Sequence, residues 1–185
     1  MQPSPLQLLQ CSYESVNVTA VPDFDNTGRD PAFLMNPSGM KLSTETAVQD
    51  LEANAEFSDY AIRFVLAFEP KEINATPYRG ELVLQAQVRM HGAKTPLDRK
   101  QLAVVNGVSL VYGMARDMVC TITARGLHGQ MLLPTLNFRS LAESVQADEA
   151  AMHPPVVGSE PAVPKRKPAR KASAKNTQTK KPAKA

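Results

Sequence analysis

The sequence predicts an α+β domain in which a four-stranded antiparallel sheet is followed by two to three helices packed on one of its faces. Residues 57–69 and 79–91 alternate apolar and other side chains with a period of two, which is typical of strands. A later stretch carries apolar residues at spacings of three and four, which is typical of a helix. Because strands precede helices along the chain, we expect two separate layers.

The first two strands are predicted mainly from composition. Residues 6–21 are rich in β-forming side chains until Pro22 and Asp23 end the run. Residues 23–37 are rich in Asp, Asn, Gly and Pro, so they are predicted to form a long loop, with the apolar segment Phe33-Leu34-Met35 in its middle. A short second strand is then predicted over residues 40–46.

The third and fourth strands show the clearest pattern. The apolar positions of the third strand are Tyr60, Ile62, Phe64, Leu66 and Phe68. The corresponding positions of the fourth strand are Leu82, Leu84, Ala86, Val88 and Met90. The positions between those of the fourth strand are mostly polar, as in an antiparallel sheet that is covered on one side and solvated on the other.

The helical part of the chain has recognisable start and break signals. Thr95 is predicted to cap a helix that has a proline and an acid in its first turn. Asn106-Gly107 is a turn-forming dipeptide and predicts a break. We therefore expect a short helix up to Val104 and a longer one over residues 108–125.

The segment after the long helix is predicted to be an apolar connector. Gly126 is expected to end the helix in a left-handed conformation. Met131-Leu132-Leu133-Pro134 is too short for a helix, and its proline excludes a central strand. Asn137 is predicted to cap a last helix over residues 138–151.

Composition divides the chain into a domain over residues 1–152 and a tail over residues 153–185. The tail holds nine Lys and Arg and one acid, Glu160, a net charge of +8; the domain holds twelve basic and seventeen acidic residues, a net charge of −5. The tail has six of the fifteen prolines and no Leu, Ile, Phe or Met. It cannot bury enough apolar area to offset its ordering entropy, so we expect it to be disordered.

No pattern of catalytic residues competes with a binding function. The histidines, His91, His128 and His153, are not spaced as metal ligands, and no Cys-x-x-Cys motif occurs. Cys120 and His128 are better explained as a core thiol and a loop histidine than as a nucleophile and its base. We therefore expect a protein that is not an enzyme and needs no metal or other cofactor.

Targeting signals are also missing from the sequence. The first ten residues lack a positive region, and their leucine cluster is much shorter than the core of a signal peptide. No uninterrupted apolar run approaches the length of a membrane span. We therefore expect a cytoplasmic protein that does not insert into membranes.

One segment carries three motifs in a fixed order. It contains Val-Tyr-Gly-Met-Ala-Arg-Asp at 111–117, Arg-Gly at 125–126 and Leu-Leu-Pro-Thr-Leu-Asn-Phe at 132–138. This order resembles the SecB family of bacterial protein-export chaperones, which carry Leu-Phe-Pro-Tyr-Ala-Arg-Glu, an Arg-Gly exit and Leu-x-Pro-x-Asn-Phe. Gly113 stands where the family usually has proline, and Met114 where it has tyrosine. The resemblance is therefore to a divergent branch of the family.

The resemblance implies an ATP-independent holdase, a chaperone that binds unfolded polypeptides in hydrophobic grooves. Its clients would be preproteins kept export-competent for the Sec translocase. It also implies a homotetramer, a dimer of dimers formed through the long helix and the outer sheet edges. The residues matching the groove are Tyr112, Met114, Leu132, Leu133, Leu136 and Phe138, although such side chains are also typical of an ordinary core.

The resemblance further implies contact with the translocation motor SecA through acidic residues of the sheet. Glu69 and Glu81 are the candidates, although a solvated sheet face explains the same charges. The basic tail supports a different partner, since Lys165, Arg166, Lys167, Arg170 and Lys171 suit an acidic protein surface or a phosphate backbone. No aromatic residue accompanies them, so any nucleic-acid binding should be weak and nonspecific.

Two other functions fit the same sequence. A SecB-like chaperone can serve one dedicated client, such as the antitoxin of a toxin–antitoxin system. Alternatively, the domain can be a scaffold, or the protein can bind nucleic acid nonspecifically through its tail.

Overall fold

Four antiparallel strands form a single sheet in the order β1-β4-β3-β2. The computed structural model describes residues 3–25, 27, 39–73, 75–92 and 95–145. The elements are β1 (Leu6–Ala20), β2 (Met40–Ala53), β3 (Phe57–Pro70), β4 (Tyr78–His91) and the helix α1 (Pro96–Thr123). Residues 140–145 are also helical. The predicted α+β class is confirmed.

The core lies between α1 and one face of the sheet. All ten apolar residues predicted for the inner face of β3 and β4 are buried, each less than 4% exposed. α1 packs against β4, β3 and β1. Its apolar residues at spacings of three and four supply the other half of the core, including Val104, Val108, Val111, Ala115 and Val119.

β2 is much longer than the sequence predicts. It pairs with β3 from Met40 opposite Pro70 to Ala53 opposite Ser58, with one irregularity between Asp50 and Ala53. Most of its side chains are exposed because β2 is an edge strand. A strand with so little burial shows no strong alternation, so the sequence pattern marks only its beginning.

The predicted break at Asn106-Gly107 is wrong, because α1 runs through it without interruption. Gly107 is buried against the sheet, and a Cβ atom there would lie 2.6 Å from Cδ1 of Ile62 and 3.6 Å from Cγ2 of Val88. The glycine therefore allows the helix to approach the sheet closely. Its local preference for a turn is overridden by burial of the helix face around it.

The expected left-handed stop at Gly126 is also wrong. α1 ends at Thr123, and Ala124 caps it in a right-handed conformation. Positive φ values occur among the described glycines at Gly92 and Gly129. A Cβ atom at position 126 would lie 2.5 Å from the hydroxyl oxygen of Tyr78, so this glycine too is required by a close approach.

The predicted cap of α1 is confirmed. Thr95 is extended, with φ −130° and ψ 158°, and its hydroxyl oxygen accepts a hydrogen bond from the Asp98 backbone N–H at 3.0 Å. Asn137 acts similarly before the last helix, where its side-chain oxygen accepts from the Arg139 N–H at 3.0 Å. Both side chains satisfy amide groups that a helix start leaves without a partner.

Several predictions fall outside the described residues. These are the domain boundary at residue 152, the basic tail over 153–185, the apolar loop segment at 33–35 and the end of the last helix beyond residue 145.

α1 is long and apolar enough to cross a membrane, judged by length and composition. Core helices of globular domains have the same properties. α1 contributes ten buried residues and packs against three strands, which is the arrangement of a core helix.

Two glycines of α1 provide a matched test of this packing. We expect Gly107→Ala to lower the free energy of unfolding by about 1–2 kcal/mol, because Ile62 must move within a filled core. Gly113→Ala should raise it by about 0.5–1 kcal/mol, since no atom lies within 4 Å of the new methyl group and alanine favours helix. Urea unfolding measures both, and equal effects of the two substitutions would contradict the close approach at Gly107.

Candidate functional site

The segment after α1 runs back along the helix without regular secondary structure. We call residues 129–138 the connector. Met131 contacts Thr123, Leu133 contacts Arg116 and Pro134 contacts Tyr112, so successive connector residues meet successively earlier turns of α1. Because all three contacts follow this direction, the connector runs antiparallel to α1.

Polar side chains of α1 hold the connector main chain. The Met131 N–H donates to the Thr123 hydroxyl oxygen at 2.9 Å, and Arg116 Nε donates to the Leu133 carbonyl at 2.9 Å. The Tyr112 hydroxyl donates to the Pro134 carbonyl. These three contacts satisfy backbone groups that would otherwise lack partners in a non-repetitive segment.

Three connector side chains anchor it to the core. Met131 and Leu133 are fully buried, and Phe138 is 7% exposed. The Phe138 ring meets Tyr112 edge to face at a centroid distance of 5.5 Å and Phe64 at 6.1 Å. These distances are in the favourable range for aromatic pairs, so Phe138 closes one end of the core.

The structure divides the six residues predicted to line the groove. Tyr112, Leu133 and Phe138 are buried in the core. A side chain without accessible surface cannot bury further area against a client, so in this arrangement these three act as core residues. Met114, Leu132 and Leu136 are partly exposed and remain candidates for contact.

Met114 lies in a shallow cleft of about 350 Å³ between α1 and β1. The cleft is lined by Tyr13, Ser109, Leu110, Gly113, Met114 and Asp117. The Tyr13 hydroxyl donates to the Met114 carbonyl at 3.1 Å, and burial raises the pKa of Tyr13. Tyr13 and Leu110 are not predicted from the sequence, although the spacing of four between Leu110 and Met114 places both on one helix face.

A second set of partly exposed apolar side chains packs against the core from β2, the connector and the last helix. We call it the β2 rim; it consists of Leu42, Val48, Leu136, Leu141 and Val145. Its members come from β2, the connector and the last helix, and all pack against the same core. Leu136 thus lies in an apolar environment that also has access to solvent.

The outer face of the sheet carries charged side chains that are joined in ion pairs. Glu69 binds Lys41 at 2.8 Å, and the hydrogen bond and charge of Lys41 lower the pKa of Glu69. Glu81 is exposed on the same face. Because its charge is compensated by Lys41, Glu69 contributes less acidic potential than the sequence suggests.

A second pair on this face is more protected. Arg89 donates two hydrogen bonds to Asp59, at 2.8 and 2.7 Å, and its guanidinium lies 3.8 Å from the centroid of the Phe57 ring. Such bidentate contacts hold a side chain in one orientation. This pair therefore fixes the orientation of Arg89, and its two charges compensate each other.

The described ranges contain no group of three or more His, Cys, Asp or Glu side chains that could hold a metal ion. The Cys120 sulfur accepts a hydrogen bond from the Gln130 side-chain amide, at 2.6 Å. His128 Nε2 instead lies 2.9 Å from the Val21 carbonyl oxygen. Cys120 and His128 therefore have separate partners.

Comparisons with known proteins give likenesses of fold alone. No protein-family model and no curated protein matches the chain. The SecB-like chaperone of Mycobacterium tuberculosis, solved with a ChAD peptide from the HigA1 antitoxin, has 16% identity and a TM-score of 0.47, over 71% of this chain and 88% of that one. A Streptococcus agalactiae protein of unknown function has 13% identity and a TM-score of 0.48, over 72% and 97%. These likenesses assign no residue and no activity to this chain.

The contact between Tyr112 and the connector predicts a specific dependence on pH. Burial raises the pKa of Tyr112 to about 12, above the value of about 10 for an unfolded tyrosine. Its stabilising effect should therefore be complete below about pH 10 and be lost as the pH rises towards 12. Tyr112→Phe should lower the free energy of unfolding by about 1 kcal/mol at neutral pH. It should also make that free energy decrease less as the pH rises towards 12. Urea unfolding between pH 8 and 11.5 measures both, and equal slopes in the two proteins would contradict the assignment.

Proposed function

We propose that this protein is an ATP-independent, SecB-like holdase that binds unfolded polypeptides. The sequence resemblance over residues 111–138 supports the proposal, because this segment forms the second half of α1 and the connector, which lie side by side. The α+β arrangement agrees with the architecture that the resemblance implies.

One observation carries the proposal: apolar side chains on the helix side of the sheet stay partly exposed after the core is complete. They are Met114 in the cleft, Leu132 on the connector and the five members of the β2 rim. Single exposed apolar residues are ordinary, but several that border one core together offer area for binding.

The energetics of such a surface suit a holdase. Burial of apolar area gains about 25 cal/mol per Å², so a client segment that buries about 400 Å² gains about 10 kcal/mol before the cost of ordering it. That gain needs no nucleotide and little sequence selectivity. Release then requires a competing partner.

The finer parts of the proposal concern clients, partners and assembly. We propose unfolded preproteins as clients, a cytoplasmic location and a homotetramer that buries part of the exposed apolar surface. If SecA is the competing partner, Glu81 is the better candidate for its contact, since Glu69 is already paired with Lys41. A dedicated antitoxin client, and a scaffold or nucleic-acid role through the tail, remain the alternatives.

Suppression of aggregation tests the proposal. The full-length protein should reduce light scattering from a heat-unfolded model enzyme at a small molar excess. Leu132→Glu combined with Leu136→Glu should weaken this suppression by roughly tenfold, because two charges then replace apolar contact area. Phe138→Glu is unsuitable, because Phe138 is 7% exposed and a buried charge would unfold the domain.

Ile73→Glu provides the matched control. Ile73 is 91% exposed and follows β3 in the turn to β4, so the same kind of substitution there should leave suppression unchanged. Circular dichroism should show all variants folded. Full suppression by the double variant, or none by the wild type, would contradict the proposed function.

A further inference from the structure

Apolar burial alone does not determine which of the consecutive apolar residues of the connector face the core. Met131, Leu132 and Leu133 are consecutive and similar in size, yet Met131 and Leu133 are fully buried and Leu132 is partly exposed. In an extended segment, a slip of one residue exchanges the inner and outer faces. Leu132 and Leu133 are chemically identical, so the core does not distinguish them.

The connector also lacks a backbone ladder that could set its register. Among the described residues, its backbone-to-backbone hydrogen bonds lie at its ends, from Gly129 N–H to the Gly126 carbonyl and from Leu141 N–H to the Phe138 carbonyl. Between them, the main chain is held by side chains of α1. These side chains are therefore the features that distinguish one register from the other.

Arg116 is the most informative of the three. Thr123 and Tyr112 are themselves buried in the core, so replacing either also disturbs packing. Arg116 is partly exposed on α1, and its Nε donates to the Leu133 carbonyl at 2.9 Å. The carbonyl it holds belongs to the residue whose side chain must point inward.

We propose that Arg116 is a positioning residue that sets the register of the connector, so that Leu132 and Leu136 face a client while Leu133 stays in the core. The part of this inference that concerns a client rests on the proposed function. The effect of Arg116 on the register does not. In the slipped register Met131 and Leu133 would face outward and Leu132 would face inward, so the side chains exposed to a client would change.

The test compares Arg116→Met, which keeps the length of the stem but removes the donor, with Arg116→Lys, which keeps a donor and the charge. Arg125→Met is the matched control, since Arg125 is exposed beyond the end of α1. Leucine methyl groups are labelled in the full-length protein and observed by NMR. Binding is measured by fluorescence anisotropy with reduced, carboxymethylated lactalbumin as the unfolded probe.

We expect Arg116→Met to show two sets of methyl signals for Leu132 and Leu133 and to raise the Kd for the probe by roughly three- to tenfold. Arg116→Lys should restore a single set and most of the affinity, and Arg125→Met should match the wild type. A merely structural role would lower the thermal midpoint without doubling the signals.

The outcomes separate the two proposals. A single set of signals and an unchanged Kd in Arg116→Met would overturn the role of Arg116. Failure of the wild type to bind the probe would overturn the proposed function, while the methyl signals would still decide whether Arg116 sets the register. If Arg116→Met does not fold, Arg116→Ala, which also lacks the donor and favours helix, should show the second set of signals, and the absence of that set would count against the inference.

Discussion

The apolar inner face of β3 and β4 has to be covered, and the remaining structure follows from how this is done. α1 lies across β4, β3 and β1 and supplies most of the cover. An α-helix is about 10–12 Å wide, whereas four strands spaced about 4.8 Å apart span about 15–19 Å. One helix therefore leaves a border on each side. The α1–β1 cleft marks one border, and the partly exposed Leu42 and Val48 of the opposite edge strand, β2, mark the other.

These borders explain why the candidate surface consists of half-buried side chains. The members of the β2 rim and Met114 each pack against the core with one part and meet solvent with another. The same residues thus stabilise the fold and offer area for a partner. Assembly of protomers and capture of polypeptide would draw on the same surface, so the proposed tetramer must leave part of it open.

The strands β3 and β4 were predictable because each buries one face under α1 and therefore carries its apolar inner residues at every second position. The length of β2 was not predictable, because most side chains of this edge strand are exposed and need not alternate between apolar and polar. The continuity of α1 was missed because Asn106-Gly107 has a local turn preference that says nothing about the approach to Ile62. In the candidate site, residue type identified an apolar connector but did not show which residues face outward. Leu132 and Leu133 are the same residue type, so the sequence does not show that Leu133 is the buried one, whose carbonyl accepts from Arg116.

Site-specific photo-crosslinking tests the central claim that the helix side of the sheet receives unfolded polypeptide. A benzoylphenylalanine probe would replace Leu136 on the β2 rim or Gln87, which is exposed on the outer face of β4. We expect covalent capture of an unfolded substrate from position 136 and little from position 87. Capture from position 87 alone, or equal capture from both, would contradict it.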